Sequence, residues 1–394
     1  MTPTPTLPAQ PARRRFIQLI GGGAVLASTV PLAGCGDGMP DVAVRPWFER
    51  GDPADLRRWM LAHALLAPNP HNRQPWLADL RRDGEVTLVC DGDRLLPETD
   101  PFGRQIVIGC GAFIELAVMA AAERGVAVQV QAFPDGEPAA DRLPGGRAIA
   151  RLVLVQPGSA TPDPLFAQVR RRHTHKGVYD SARAVPAALT ASWLASAQTA
   201  GLRAGVADDA QQMQTLRTLT RKAYEIECTT PRTWLESAHL MRIGPDAIAR
   251  HRDGISIPAA LPRLMHAVGL FDPLQVPVHG STGYRAVMDR FDAHQTGSGY
   301  LWLASAGNGR RAQLASGRAY VRAHLMATAA GVDMHPLSQA LQEFDEVREP
   351  HLAVHRLLGL DPAQHTLQML ARVGYGVTPT GPSPRRELGG LVRA

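Results

Sequence analysis

The sequence predicts an α+β protein made of two fused pseudo-repeat halves, each a small, mostly antiparallel sheet flanked by helices. Three observations lead there. Alternating apolar residues, as at Val126, Val128, Val130 and Ala132, mark strands, while apolar residues at helical spacing, as at Leu56, Trp59, Met60 and Ala64, mark helices. Third, Cys110 to Val126 aligns without gaps to Ser316 to Val332, with two glycines, two alanines and the valine coinciding. Small residues four apart let a helix sit close against a neighbour, and the terminal glycine suits a left-handed cap. A duplication is the expected source of that echo.

The elements follow in order. Asp55 to Leu66 reads as a helix with an aspartate at its start and Pro68 beyond its end. Leu77 to Leu80 and Val86 to Cys90 flank Asp83-Gly84, a pair that tolerates positive φ and suits a hairpin turn. Gly111 to Gly125 is a small-residue helix, followed by a strand from Val126 and another from Ala148 to Val155. Beyond these, Trp193 to Ala197, Met213 to Tyr224, Leu261 to Val268, Ala312 to Ala330 and Leu352 to Leu358 read as helices. A last strand is expected around Leu367 to Val373, ahead of a basic tail broken by Pro379, Pro382 and Pro384.

With 42 basic and 36 acidic residues in 394, and 45% apolar residues, the chain has the balance of a globular protein with a sizeable core. The net charge of +6 contains Arg13, Arg14 and Arg15, so the rest carries 6 minus 3, or +3, which is no footprint for a nucleic acid. Those arginines precede an apolar, glycine-rich stretch from Phe16 to Ala33. The arrangement resembles a twin-arginine export signal, and Leu32-Ala33-Gly34-Cys35 resembles a bacterial lipobox, which implies a lipidated Cys35. The expected organisation is a signal over residues 1–34, a tether over 35–53, a first half over 54–160 and a second half over 161–394. The protein is thus expected in the periplasm or cell envelope, attached to the membrane through Cys35. Of the other cysteines, Cys90, Cys110 and Cys228 have no disulfide or zinc spacing and are expected as buried thiols.

Common catalytic signatures are absent. No Gly-x-Gly-x-x-Gly follows a strand, there is no Walker loop, and Gly297-Ser298-Gly299 lacks the glycine spacing of a nucleophile elbow. His351 and His355 could share a helix face, but without a third ligand at a diagnostic spacing they are expected to be packed or solvated. No metal is expected. Two segments carry more chemistry. In Ala67-Pro68-Asn69-Pro70-His71-Asn72-Arg73-Gln74-Pro75-Trp76, prolines stiffen a loop whose Asn72 and Gln74 amides suit either the edge of a planar heterocycle or the loop's own backbone. In Arg170-Arg171-Arg172-His173-Thr174-His175-Lys176-Gly177, guanidiniums and a hydroxyl suit a phosphate monoester, or else a solvated basic face.

The first string resembles the Asn-x-Gln-Pro-Trp loop of the nitroreductase-like flavoproteins, in the His-Asn-x-Gln-Pro-Trp form of their Acg-type branch. The second resembles the family's phosphate clamp for FMN. The resemblance implies FMN as cofactor, with Asn69, Asn72 and Gln74 toward the flavin and Arg171, Arg172, Thr174 and Lys176 around the phosphate. Lys176 replaces the more usual arginine, and His173 is atypical. Pro336, Leu337, Ser338 and Gln339 resemble the turn that meets the flavin's pyrimidine and N5 edge, with Ser338 and Gln339 in place of the usual Glu-Gly. Arg372 to Gly376 resembles the closing strand, and Arg385 and Arg386 the basic tail that returns to the phosphate.

Ordinary family members make two flavin sites between two subunits, each from one subunit's clamp and the other's loop. This chain holds one of each, which implies a single FMN between its halves, in an internal pseudo-dimer that is a monomer or a higher oligomer. The implied function is an exported FMN-dependent nitroreductase-like oxidoreductase that passes hydride through flavin N5 to a nitroaromatic, quinone or similar small-molecule acceptor. No side chain is named as catalytic. The rival is a flavin-binding or storage lipoprotein with little turnover. Glu227 to Gln295 is the expected place for a lid.

Overall fold

A computed structural model describes residues 38–393. The expected export signal and Cys35 lie outside the described residues. In the first half the strands are β1 (Trp76–Asp79), β2 (Glu85–Cys90), β3 (Val126–Ala132) and β4 (Ala148–Pro157). The second half contains β5 (Tyr179–Asp180), β6 (Arg203–Ala207), the small parallel pair β7 (Met241–Ile243) and β8 (Ile255–Ile257), then β9 (Gly299–Ala306), β10 (Asp333–Pro336) and β11 (His365–Gly376). A last strand, β12 (Val392–Arg393), closes the chain.

One sheet runs β12-β1-β2-β4-β3 and the other β10-β11-β9-β6, with β5 added against β11. Without the edge additions the orders are β1-β2-β4-β3 and β6-β9-β11-β10, all antiparallel, so the two halves repeat one topology. Each half also sends one long helix out after its second strand and back into its third: Arg104–Ala122 between β2 and β3, and Arg310–Ala329 between β9 and β10. This is the fused pair that the sequence echo predicts.

The two long helices pack on each other, and the echo sits at their crossing. A methyl group on Gly111 would fall 2.2 Å from the Leu314 carbonyl oxygen, and one on Gly317 would fall 1.9 Å from that of Ile108. Gly111 and Gly317 are equivalent in the alignment, and so are Ile108 and Leu314, because both pairs are 206 positions apart (317 minus 111, 314 minus 108). The contact is therefore isologous, like a twofold dimer interface within one chain. Only glycine lets the backbones meet this way. The same offset pairs Arg104 with Arg310, and both are fully buried. Arg104 crosses to Glu343 and to the carbonyls of Leu341 and Gln368, while Arg310 crosses back to those of Phe102, Ala140 and Arg142. Glu115 breaks the symmetry, binding both Arg318 and Arg322 of the partner helix.

The halves differ most where the first has its Asp83-Gly84 hairpin between β1 and β2. Between the corresponding β6 and β9 the second half inserts residues 208–298, with helices Ala210–Thr229, Pro231–His239, Pro245–His251, Ala260–Ala267 and Thr282–Ala293. This is the region expected to hold a lid. It folds over the first half: Glu236 accepts from the Glu98 and Thr99 backbones, and Asp253 pairs with Arg73, Arg94 and Arg242.

Several expectations need adjusting. The first helix is Leu56–Ala64 with Asp55 as its cap, close to the expected span, but the expected Gly111 helix begins seven residues earlier, at Arg104. Residues 35–53 were expected as a tether, yet within them Asp41–Val44 and Arg45–Trp47 are helical and Trp47 is buried. The indole of Trp47 donates to the Ser383 carbonyl at 2.8 Å, which folds the segment under the C-terminal tail. That tail crosses back to the first half, where β12 pairs in parallel with β1. Cys90, Cys110 and Cys228 are buried free thiols as expected, and burial pushes the Cys90 thiol up to about 12. His355 bonds the His351 carbonyl and accepts from the Leu367 N-H, a packed role, and the described residues hold no cluster able to bind a metal.

Candidate functional site at the junction of the halves

The loop before β1 is held in a costly backbone conformation. His71, Asn72 and Gln74 have φ of 47°, 51° and 51°, the left-handed region that side chains disfavour. Such strain persists only where surroundings over-determine it. Here two segments do so. From the tail, Asn72 Nδ2 donates to the Pro384 carbonyl, Arg385 donates to Asn72 Oδ1, and the Arg386 N-H donates to Gln74 Oε1. From the insertion, the Arg252 carbonyl accepts from Gln74 Nε2, the Gly254 N-H donates to the Asn72 carbonyl, and Ser237 Oγ lies 2.9 Å from His71 Nε2. Asn69 closes the loop internally, accepting from the Gln74 N-H at 2.7 Å. The amides of Asn69, Asn72 and Gln74 are thus all hydrogen-bonded within the protein.

Two arginines converge beside that loop. Arg172 Nη2 and Arg385 Nη2 donate to the same acceptor, the Leu66 carbonyl, at 2.8 and 3.1 Å. Their guanidinium carbons lie 5.8 and 5.0 Å from the Trp47 ring centre. Both are buried, neither touches a carboxylate, and the Nε of each is buried with no partner. Burial lowers Arg172 to about 10; burial and the neighbouring Arg172 charge lower Arg385 to about 9. Two like charges out of water with no counter-ion form a costly arrangement that a bound anion would relieve. The residues present therefore fit a phosphate group.

Other expected residues are placed differently. Arg386 caps the loop from outside, donating to the Gln74 and Trp76 carbonyls. Arg171 is exposed and lines a separate cavity of about 100 Å³ with His173, His324 and Asp333. Neither Thr174 nor Lys176 has a side-chain hydrogen bond, and the Lys176 charge helps to hold both His71 and His335 below their usual range, after burial. Lys176 thus stands between the first half's loop and the second half's β10. At the turn, Pro336 pairs in β10 with Ala371, and Leu337 is packed into the second core. Ser338 is half-buried, while Gln339 Oε1 is buried without a partner. No hydrogen bond joins this turn to the arginine pair.

Sequence reasoning missed three participants. Trp47 was hidden in a Pro/Gly/Asp-rich stretch. Arg372, within the closing strand, is fully buried and donates to His335 Nδ1 at 3.1 Å and to the Gly177 carbonyl at 2.7 Å. Glu227, on helix Ala210–Thr229, accepts from Gln342 Nε2 at 3.0 Å and faces Gln339 behind the turn. Burial, with the Glu236 charge adding to it, raises its carboxyl to about 7 against the lowering effect of the Gln342 bond. A carboxyl raised from 4.5 in the fold favours folding fully below about 4.5, and that contribution is lost as pH rises through about 7. Replacing Glu227 with Gln is expected to flatten the fall in thermal stability between pH 5 and 8, a span worth roughly 3 kcal/mol. Unfolding scans across that range check it.

No family model matches the sequence. Among curated proteins, the chain is 28% identical over 352 residues to a Mycobacterium tuberculosis protein provisionally named an NAD(P)H nitroreductase, covering 86% of this chain and 91% of the relative. It is 40% identical over 97 residues to the Acg protein of the same organism, also provisionally named an NAD(P)H nitroreductase, a match over 25% of this chain and 27% of that one. Among solved structures, an FMN-dependent nitroreductase from Mycobacterium smegmatis in complex with NADPH aligns with 16% identity and a TM-score of 0.35, over 58% of this chain and 97% of that one. A nitroreductase with bound FMN from Bacteroides fragilis gives 12% identity and a TM-score of 0.34, over 59% and 98%. Superpositions at that level add no weight, and the assignment rests on the sequence relatives. Over most of its length the chain is thus similar to a provisionally named nitroreductase of Mycobacterium tuberculosis, and over a quarter of it to that organism's Acg protein.

Proposed function

We propose that the protein is an exported, lipid-anchored, FMN-dependent oxidoreductase that takes electrons from a reduced nicotinamide or an equivalent donor and passes them to a nitroaromatic, quinone or similar acceptor. One observation carries the reading: Arg172 of the second half and Arg385 of the tail, buried with free Nε groups and no carboxylate, meet beside the first half's amide loop at the Leu66 carbonyl. A phosphate-bearing cofactor is the ligand whose charge would answer the arginine pair, with the adjoining loop as a wall. The family's relatives support the redox class.

When bound, FMN supplies hydride acceptance and return at N5. The protein's part is binding and orientation. Arg172 and Arg385 would hold the phosphate through charge-assisted bonds. The loop at His71 to Gln74, rigid because both the tail and the insertion bind it, would form one wall, and Lys176 would place positive charge beside it. Ser338 and Gln339 would form the opposite edge, with Glu227 behind Gln339 holding a proton near neutral pH.

A flavin-binding or storage role with little turnover has one observation in its favour: Asn72 and Gln74 are committed to the tail and the insertion, which leaves fewer groups to tune a flavin. Anaerobic mixing of flavin-loaded protein with NADPH, then with a nitroaromatic, separates the two. The oxidoreductase reading predicts bleaching of the flavin band and its recovery on adding acceptor. A bound flavin that stays oxidised in both steps supports storage instead.

A further inference from the structure

Five of the ten strongly exposed large apolar side chains among the described residues fall in one short segment: Leu264, Val268, Leu270, Leu274 and Val278 are 47% to 67% exposed. Between Ile255 and Ser281 the sequence carries only Arg263 and Asp272 as charged side chains apart from its histidines. The segment is folded, not loose. Trp234 Nε1 donates to the Pro273 carbonyl at 2.9 Å, Val276 packs on the Cys228, Trp234 and Ala238 cluster, and His266 Nδ1 bonds the Phe271 carbonyl. An apolar face held outward by an anchored inner face marks an interaction surface.

The path of the chain indicates what covers it. The first described residue, Gly38, lies against Pro258, two residues before helix Ala260–Ala267: a methyl group on Gly38 would fall 2.6 Å from the Pro258 carbonyl oxygen. The next helix, Asp41–Val44, packs on Pro245–His251 of the same insertion. Cys35 is three residues before Gly38, so it cannot stand more than about 11 Å from it. The expected acylation site is thus tied to the edge of the apolar segment.

We propose that residues 260–278 form a membrane-seating surface, which lies in the lipid interface beside the acylated Cys35. The proposal rests on the lipoprotein reading above. Short helices with one apolar face lie in the plane of the interface with that face buried among the acyl chains. Acyl chains alone would leave the protein free to swivel on its anchor; the patch gives it one orientation. A second copy of the chain is the competing occupant, but nothing in the chain path directs a copy to this face.

The test uses the intact lipoprotein reconstituted into phosphatidylethanolamine and phosphatidylglycerol vesicles, with a nitroxide on Val268→Cys or, as control, on the exposed Val377→Cys. Cys90, Cys110 and Cys228 are buried and stay unlabelled. With vesicles, the label at 268 is expected to lose most of its collisions with a water-soluble nickel chelate and gain collisions with oxygen, while the label at 377 stays water-accessible. In an L264Q/L270Q/V278Q background the label at 268 returns to water although the anchor remains. Equal water access at 268 and 377 on acylated protein overturns the proposal alone. Protection at 268 without vesicles, with a doubled mass, shows a second copy and also overturns it. An unacylated Cys35 peptide by mass spectrometry overturns both this proposal and the lipoprotein reading.

Discussion

Replacing Gly317 with alanine is expected to destabilise the protein by at least about 3 kcal/mol, because the new methyl would meet the Ile108 carbonyl at 1.9 Å and the Ala112 nitrogen at 2.9 Å. Both are backbone atoms of a packed helix and cannot rotate aside. The long helices must separate, and with them the two sheets each helix covers. For a domain of ordinary size that cost lowers the midpoint of thermal unfolding by roughly 6–12 °C. Gly111→Ala is the symmetric partner and is expected to cost a similar amount. The double variant should cost less than the sum, since helices already forced apart admit the second methyl more easily. Gly84→Ala is the control: φ there is 70° with open space around the position, so only the conformational penalty of roughly 1 kcal/mol applies. A Gly317→Ala protein as stable as the Gly84→Ala control would mean the helices do not cross backbone to backbone.

The second large effect concerns the arginine pair. Arg385→Met is expected to weaken FMN binding by roughly 10-fold to 100-fold, the loss of one or two hydrogen bonds to a charged group. Arg172→Met should behave alike. Both also lose bonds to the Leu66 carbonyl, so a modest fall in stability is expected and is not diagnostic. The ligand response is. In the parent protein, FMN raises the unfolding temperature by mass action, and inorganic phosphate does so more weakly; in either variant that rise shrinks or vanishes. An FMN-induced rise of unchanged size in Arg385→Met would make the pair a purely structural tie between the tail and the Leu66 turn.

The first half was largely readable from the sequence because its strands alternate and its hairpin carries Asp83-Gly84. Its counterpart was not. The central strand β9 reads Gly-Tyr-Leu-Trp-Leu-Ala-Ser-Ala, a nearly continuous apolar run buried on both faces, and a strand of that kind has no period of two to detect. Residues 208–298 replace a five-residue turn in the other half, so the repeat breaks where a reader would look for it. At the site, clustering of arginines suggested an anion, but chemistry alone could not say that Arg172 and Arg385 share a carbonyl while Arg171 faces elsewhere. That depends on Trp47 folding under the tail, and a single tryptophan in a turn-rich stretch gives no warning of it. Glu227 was equally silent: one glutamate on a helix becomes unusual only when burial removes its water and no cation replaces it.

The symmetry also bears on how many ligands the protein holds. Where the second half enters β6, the strand equivalent to β1, the chain reads Gln198-Thr199-Ala200-Gly201-Leu202, without the Asn-x-Gln-Pro-Trp string that precedes β1. The arginine run at 170–176 likewise has no copy in the described part of the first half. One complete set of elements lies at one junction. Titration of FMN into flavin-free protein, followed by calorimetry and by flavin fluorescence, tests the central claim most directly. The account predicts saturation at one FMN per chain. Saturation at two, or no binding at all with excess FMN, would contradict it.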